Sequence, residues 1–118
     1  MESGEAWVID AHGCDPSRLR SRAAPGALFD ALVRDLGLRP LGPAAWHEFP
    51  APGGVTGFLL LSESHLACHT FPETGFAAVD LYCCRRLPDW PWEVRLREIL
   101  GARAVTMRRI PRGGKPSR

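Results

Sequence analysis

At 118 residues the chain has room for one domain with one core, and a second domain is not expected. Hydrophobic residues at 45% and charged residues at 24% place it among globular proteins rather than disordered or membrane chains, and no apolar run approaches the roughly 18 residues of a membrane span. The formal net charge of +2 argues little for an anionic partner: Arg108, Arg109, Arg112, Lys115 and Arg118 crowd into the acid-free stretch "MRRIPRGGKPSR" and leave an acidic body, so nucleic-acid binding is not expected.

The opening "MESGEAWVID" carries acidic residues and lacks a basic segment followed by an apolar one, so no secretory signal is read and a cytoplasmic address is expected. There, Cys14, Cys68, Cys83 and Cys84 are expected as thiols rather than disulfides. "AWVIDA" reads as a first strand. In "APGALFDALVRDLGL", Leu28, Phe29, Leu32, Val33 and Leu36 recur at helical spacing, with Pro25 near the start and Gly37 just past the end. "AAWHEF" is a strand by its aromatics, "PAPGG" a turn and "VTGFLLLS" the next strand, so these two form a hairpin. "FAAVDLYCC" is a further strand, "PWEVRLREILG" a second helix bounded by Pro91 and Gly101, and "AVTMRRI" the last strand.

The order is therefore β-α-β-β-β-α-β, with most strands joined by short turns, which connect antiparallel neighbours. Two helices that each bury one face then cover one side of a mostly antiparallel sheet, an α/β (α+β) two-layer sandwich. The single domain is expected over 1–110, with a basic flexible tail over 111–118. The other sheet face needs cover or must be polar.

One stretch, "LLLSESHLACHTFPE" from Leu59 to Glu73, places Ser62, Glu63, Ser64, His65, Cys68, His69, Thr70 and Glu73 at the end of the most apolar run. A buried hairpin whose polar groups satisfy one another is one reading. A metal site is another, from the H-x3-H spacing of His65 and His69. It fits poorly, because Cys83 and Cys84 are adjacent and on a strand point to opposite faces. The third is nucleophilic chemistry at Ser64, which needs an activating neighbour such as His65 or His69.

"SESHLACHTFPETGFAAVDLYCC" resembles the core motif of the prokaryotic S-adenosylmethionine decarboxylases, where Glu-Ser-His is followed by His-Thr-aromatic-Pro-Glu and an Ala-Ala-Val-Asp strand ending in cysteine. The likeness extends more weakly to "WHEFPAPGGVTG" and "WVIDAHGCD" and covers most of residues 6 to 110. It implies self-cleavage: the Ser64 hydroxyl attacks the carbonyl of Glu63, the resulting ester breaks by elimination, and the serine becomes a pyruvoyl group at the N-terminus of fragment 64–118, with 1–63 as the other fragment. No external cofactor is then needed, since the chain makes its own electron sink.

By the same resemblance His69 assists elimination, and Thr56, where the family commonly has serine, supplies a hydroxyl near the cleaved bond. Cys84 matches the cysteine that returns a proton after carbon dioxide leaves. Strand parity agrees, because Phe76, Ala78, Asp80, Tyr82 and Cys84 share one face, while Ala77, Val79, Leu81 and Cys83 share the apolar one. Parity also puts Ser64 and His69 on opposite faces, so a bend or break near Leu66 is expected to let them meet. Phe49 and Phe71 match rings that sandwich adenine near the sulfonium, and Glu73 matches a carboxylate that accepts hydrogen bonds from ribose hydroxyls. Arg85 departs from the family's usual glycine, and the usual histidine of the first strand is missing around Gly4 to Trp7.

The function implied is pyruvoyl-dependent decarboxylation of S-adenosylmethionine, giving the aminopropyl donor for spermidine synthesis, with no metal site assigned. Two alternatives are a related decarboxylase of ornithine or arginine, and an unprocessed, non-catalytic homologue. The bare sheet face and the resemblance both point to a homodimer of processed protomers, with Phe49 and Ser64 of one site on different protomers.

Overall fold

The structure, a computed structural model, describes residues 3–114. Its elements in chain order are β1 (Ser3–His12), α1 (Pro16–Leu19), α2 (Ala23–Leu36), β2 (Ala45–Glu48), β3 (Val55–Leu60), β4 (Ser64–Phe71), β5 (Phe76–Cys83), α3 (Trp92–Leu100) and β6 (Ala104–Gly113). The strands form one six-stranded sheet in the order β2-β3-β4-β5-β1-β6, and every neighbouring pair is antiparallel. The two-layer α+β sandwich holds, with a wholly antiparallel sheet.

Both long helices end where the sequence marks them. Gly37 and Gly101 take left-handed backbone, with φ of 63° and 71°, and their N–H groups close onto Val33 and Arg97, a conformation glycine adopts without a Cβ penalty. The start of α2 is held from a distance, by the Arg22 N–H donating to the Glu48 carboxylate of β2 at 3.1 Å. Leu28, Phe29, Leu32 and Leu36 of α2 and Trp92, Leu96 and Leu100 of α3 are buried. They meet the inward residues of the sheet, Trp7 and Ile9 of β1, Leu66 and Cys68 of β4, and Val79, Leu81 and Cys83 of β5, in one core.

Three expectations need correction. The motif segment is itself a full strand, β4, so four strands rather than three lie between the long helices. The short helix α1 is also additional; Asp15 caps it, accepting from the Ser17 N–H at 3.0 Å and the Ser17 hydroxyl at 2.8 Å, and these bonds hold its carboxyl below the usual range. The flexible tail does not begin at residue 111, because β6 continues through Pro111, Arg112 and Gly113, paired with Glu5, Gly4 and Ser3. Residues 115–118, the rest of the expected tail, lie outside the described residues.

The sheet face away from the helices carries Thr56, Phe58 and Leu60 of β3, His65, Ala67, His69 and Phe71 of β4, and Ala78, Asp80 and Tyr82 of β5. Their alternation with buried residues shows as much. Among these polar groups the open face exposes large apolar side chains: Phe58 is 42% exposed, Leu60 54%, Phe71 41% and Ile110 42%.

Candidate active site

The residues singled out in the sequence fall into two groups at opposite ends of β4. The first surrounds the Glu63–Ser64 bond. Leu60 pairs with His65 and the Leu61 N–H donates to the Ser64 carbonyl at 3.0 Å, which leaves Ser62 and Glu63 as a two-residue turn. The turn is tied down on both sides. The Ser62 N–H donates to the Arg39 carbonyl at 2.9 Å, and the Cys84 N–H donates to the Glu63 carbonyl at 3.0 Å. The carbonyl that Ser64 is expected to attack is therefore already polarised by a backbone donor of the residue expected to return a proton.

The two adjacent cysteines differ as parity demanded. Cys83 lies opposite Ser64, is 2% exposed and belongs to the core. Cys84 lies just past β5, half-buried, and lines a cavity of about 170 Å³ with Ser3, Gly4, Glu5, Arg85 and Arg86. Gly4 is required there, since a Cβ would fall 2.7 Å from the Cys83 carbonyl oxygen. The remaining thiols, Cys14 and Cys68, are buried in the core. Burial pushes Cys14 up to about 11 and Cys68 up to about 12.

The second group lies at the far end of β4. Thr56 and His69 are cross-strand partners, and the Thr56 hydroxyl is 3.1 Å from His69 Nδ1. Beyond them Phe49, Phe71 and Glu73 line one cavity of about 390 Å³ together with Pro50, Pro52, Gly53 and Thr70. The three positions expected to hold a nucleoside thus share one hollow. The loop that shapes it closes through the Phe49 N–H on the Gly54 carbonyl at 2.9 Å. Gly54 has φ 114°, and a side chain there would fall 2.9 Å from the Thr70 carbonyl.

Thr70, which the sequence shows only as one of the polar residues of this stretch, is a structural tie. Its hydroxyl accepts from the Val55 N–H at 2.8 Å and donates to the Leu19 carbonyl at 2.7 Å, joining β3, β4 and α1 beneath the cavity. A lone threonine beside a histidine gives no such signal in sequence. His65 was weighed as an activating base; its ring is instead stacked between Phe58 and Tyr82 on the open face, with centroids 5.7 and 5.9 Å away.

The expected bend near Leu66 is absent. Pairing runs unbroken from His65 to His69 against β3 and from Ser64 to Phe71 against β5. Five residues of strand at roughly 3.3 Å each separate Ser64 from His69 by about 16 Å, so one chain does not bring Ser64 and the Thr56–His69 pair together. The same spacing sets His65 and His69 about 13 Å apart, too far to share a metal ion, and among the described residues no group of three or more His, Cys, Asp or Glu is gathered for one. No helix of the described residues is long and apolar enough to cross a membrane. A larger cavity of about 640 Å³, lined by residues including Arg22, Gly26, Phe29, Asp30 and Trp46, opens between α2 and the β2 edge, away from both groups.

The family model described as S-adenosylmethionine decarboxylase matches residues 5–113. The S-adenosylmethionine decarboxylase proenzyme of Geobacillus sp. (strain WCH70) is 43% identical over 113 residues, 96% of this chain and 90% of that protein. The proenzyme of the same name from Caldicellulosiruptor saccharolyticus is 34% identical over 115 residues, 93% of this chain and 88% of that protein. Among solved structures, the adenosylmethionine decarboxylase from Aquifex aeolicus shares the fold, with a TM-score of 0.78 at 24% identity, covering 99% of this chain and 96% of that one. With the match running from β1 to the end of β6, this chain belongs to the S-adenosylmethionine decarboxylase family.

Proposed function

We propose that the chain is a self-cleaving decarboxylase of S-adenosylmethionine, which makes the aminopropyl donor for spermidine synthesis. The observation that carries the reading is the Glu63 carbonyl held at 3.0 Å by the Cys84 N–H in a tight turn next to Ser64. Attack by the Ser64 oxygen forms the ester bond as the Glu63–Ser64 amide breaks, and the developing negative charge falls on the oxygen that this N–H already binds. Elimination then removes the Ser64 α-proton and breaks the Cβ–O bond, leaving Glu63 as a new C-terminal carboxylate. The dehydrated residue 64 takes up water and loses ammonia to become a pyruvoyl group. That group supplies a carbonyl able to draw the electrons left behind when carbon dioxide departs.

The chain's own residues have separate tasks. His69 takes the α-proton, with its imidazole oriented by the Thr56 hydroxyl. Cys84 returns a proton to the substrate carbon after carbon dioxide has left. Phe49 and Phe71 offer ring faces to the adenine and the sulfonium, which an aromatic face attracts, and Glu73 accepts hydrogen bonds from the ribose. A cavity with two such rings and one carboxylate suits a nucleoside better than the simple basic side chain of ornithine or arginine.

Because about 16 Å of straight strand lies between Ser64 and His69, the site is assembled from two copies. A two-fold axis lying between two open faces and crossing β4 near Ala67 reverses the strand, and sets the Ser64 and Cys84 end of one protomer over the Thr56, His69 and nucleoside-cavity end of its partner. Sheets stacked face to face sit about 10 Å apart, so the partner's His69 comes over the end of β4 where Ser64, whose side chain shares the helix-side face with Leu66 and Cys68, begins the strand. Denaturing mass spectrometry of the purified protein tests the chemistry. Fragments 1–63 and 64–118, the second with a pyruvoyl N-terminus, are expected, and Ser64→Ala should remain one chain. A single intact parental chain, or cleavage persisting in Ser64→Ala, rejects the reading.

A further inference from the structure

Arg85 follows Cys84 and reaches back over the turn that contains the scissile bond. Its Nε lies 3.7 Å from the Glu63 carboxylate, with the two side chains 39% and 30% exposed, and its Nη2 donates to the Gly37 carbonyl at 3.1 Å. Gly37 closes the C-terminus of α2, where unpaired carbonyls carry partial negative charge and a cation is favoured. One guanidinium therefore joins the turn, the end of a core helix and the residue whose N–H holds the Glu63 carbonyl.

We propose that Arg85 is a positioning residue for self-cleavage: by gripping the Glu63 side chain against the end of α2, it keeps the Glu63 carbonyl on the Cys84 N–H, in the geometry from which Ser64 attacks. The inference rests on the self-cleavage reading above. Glu63 has a short leash, since its own backbone carbonyl and its side chain are anchored to consecutive residues, Cys84 and Arg85. With the carboxylate released, the Ser62–Glu63 turn keeps its backbone bonds yet loses the contact that fixes its rotation over the end of β5. The grip outlasts the reaction, because Glu63 becomes the C-terminus of fragment 1–63 with a second carboxylate beside the same guanidinium.

The test follows cleavage of freshly synthesised full-length chain on denaturing gels for the parent, Arg85→Gly, Arg85→Lys, Glu63→Gln and the double variant Arg85→Gly/Glu63→Gln. An ion pair this exposed is partly screened, so the expected slowing is about fivefold in Arg85→Gly and in Glu63→Gln, with Arg85→Lys in between. The double variant should be no slower than the slower single variant, because both remove one interaction. In 1 M salt, where the Debye length falls to about 3 Å, the parent should slow toward Arg85→Gly while that variant changes little. A role in stability alone would give slowing that tracks the thermal midpoint in the non-cleaving Ser64→Ala background, and no such salt convergence. Equal rates in the parent and Arg85→Gly, or additive slowing in the double variant, overturns the positioning role while leaving self-cleavage standing. A parental chain that never cleaves overturns both.

Discussion

Cys83 and Cys84 are neighbours in sequence with opposite surroundings, one in the core and one at a cavity beside the turn. Cys84→Ala should therefore process yet lose most turnover, whereas Cys83→Ala should cost about 1 kcal/mol of stability by denaturant unfolding and little turnover. Equal turnover losses with unchanged stability would contradict the assignment. Thr70→Val keeps the shape of a side chain that is 5% exposed but strands the Val55 N–H and the Leu19 carbonyl, for a loss of about 2 kcal/mol in the same measurement; a loss below a few tenths would show that the hydroxyl is not a tie. At this scale parity made the cysteine pair legible, because alternation along β5 needs only the strand. It did not reveal Thr70, whose partners are 15 and 51 residues away.

The hairpins and the two long helices were readable because their ends carry their own chemistry: glycines where the backbone turns left-handed, prolines and glycines between β2 and β3. The strand β4 was harder to read, since its open face bears two histidines and its buried face a cysteine and a threonine, a pattern that reads as reactive before it reads as regular. Nothing local announces that a strand stays straight, and the expected bend near Leu66 was an inference from what the chemistry needs rather than from the residues there. The inner face of the β2–β3 hairpin depends on Gly57, over which the Trp46 ring lies before it meets Phe29 at 5.1 Å. Gly57→Ala drives a methyl into that ring and should destabilise the fold by about 1–3 kcal/mol, read by thermal or denaturant unfolding. An unchanged midpoint would show that the ring moves aside at no cost.

For the molecule as a whole, the open face and the straight β4 make one argument. A face bearing exposed Phe58, Leu60, Phe71 and Ile110 calls for cover, and Ser64 and His69, proposed to act together, lie too far apart in one chain. Burying one open face on another resolves both, so light scattering at working concentration should give a dimer, and a monomer would contradict the assembly. The most direct test of a site shared between two copies is co-expression of Ser64→Ala with Phe49→Ala under separate tags, followed by isolation of the mixed dimers and measurement of carbon dioxide released from S-adenosylmethionine. In a mixed dimer the Ser64 of the Phe49→Ala chain faces the intact Phe49 of the Ser64→Ala chain. One of its two sites is then complete, and about half the parental activity per dimer is expected. Mixed dimers that form yet show no activity above the sum of the two parents would contradict the account, placing each site within a single protomer.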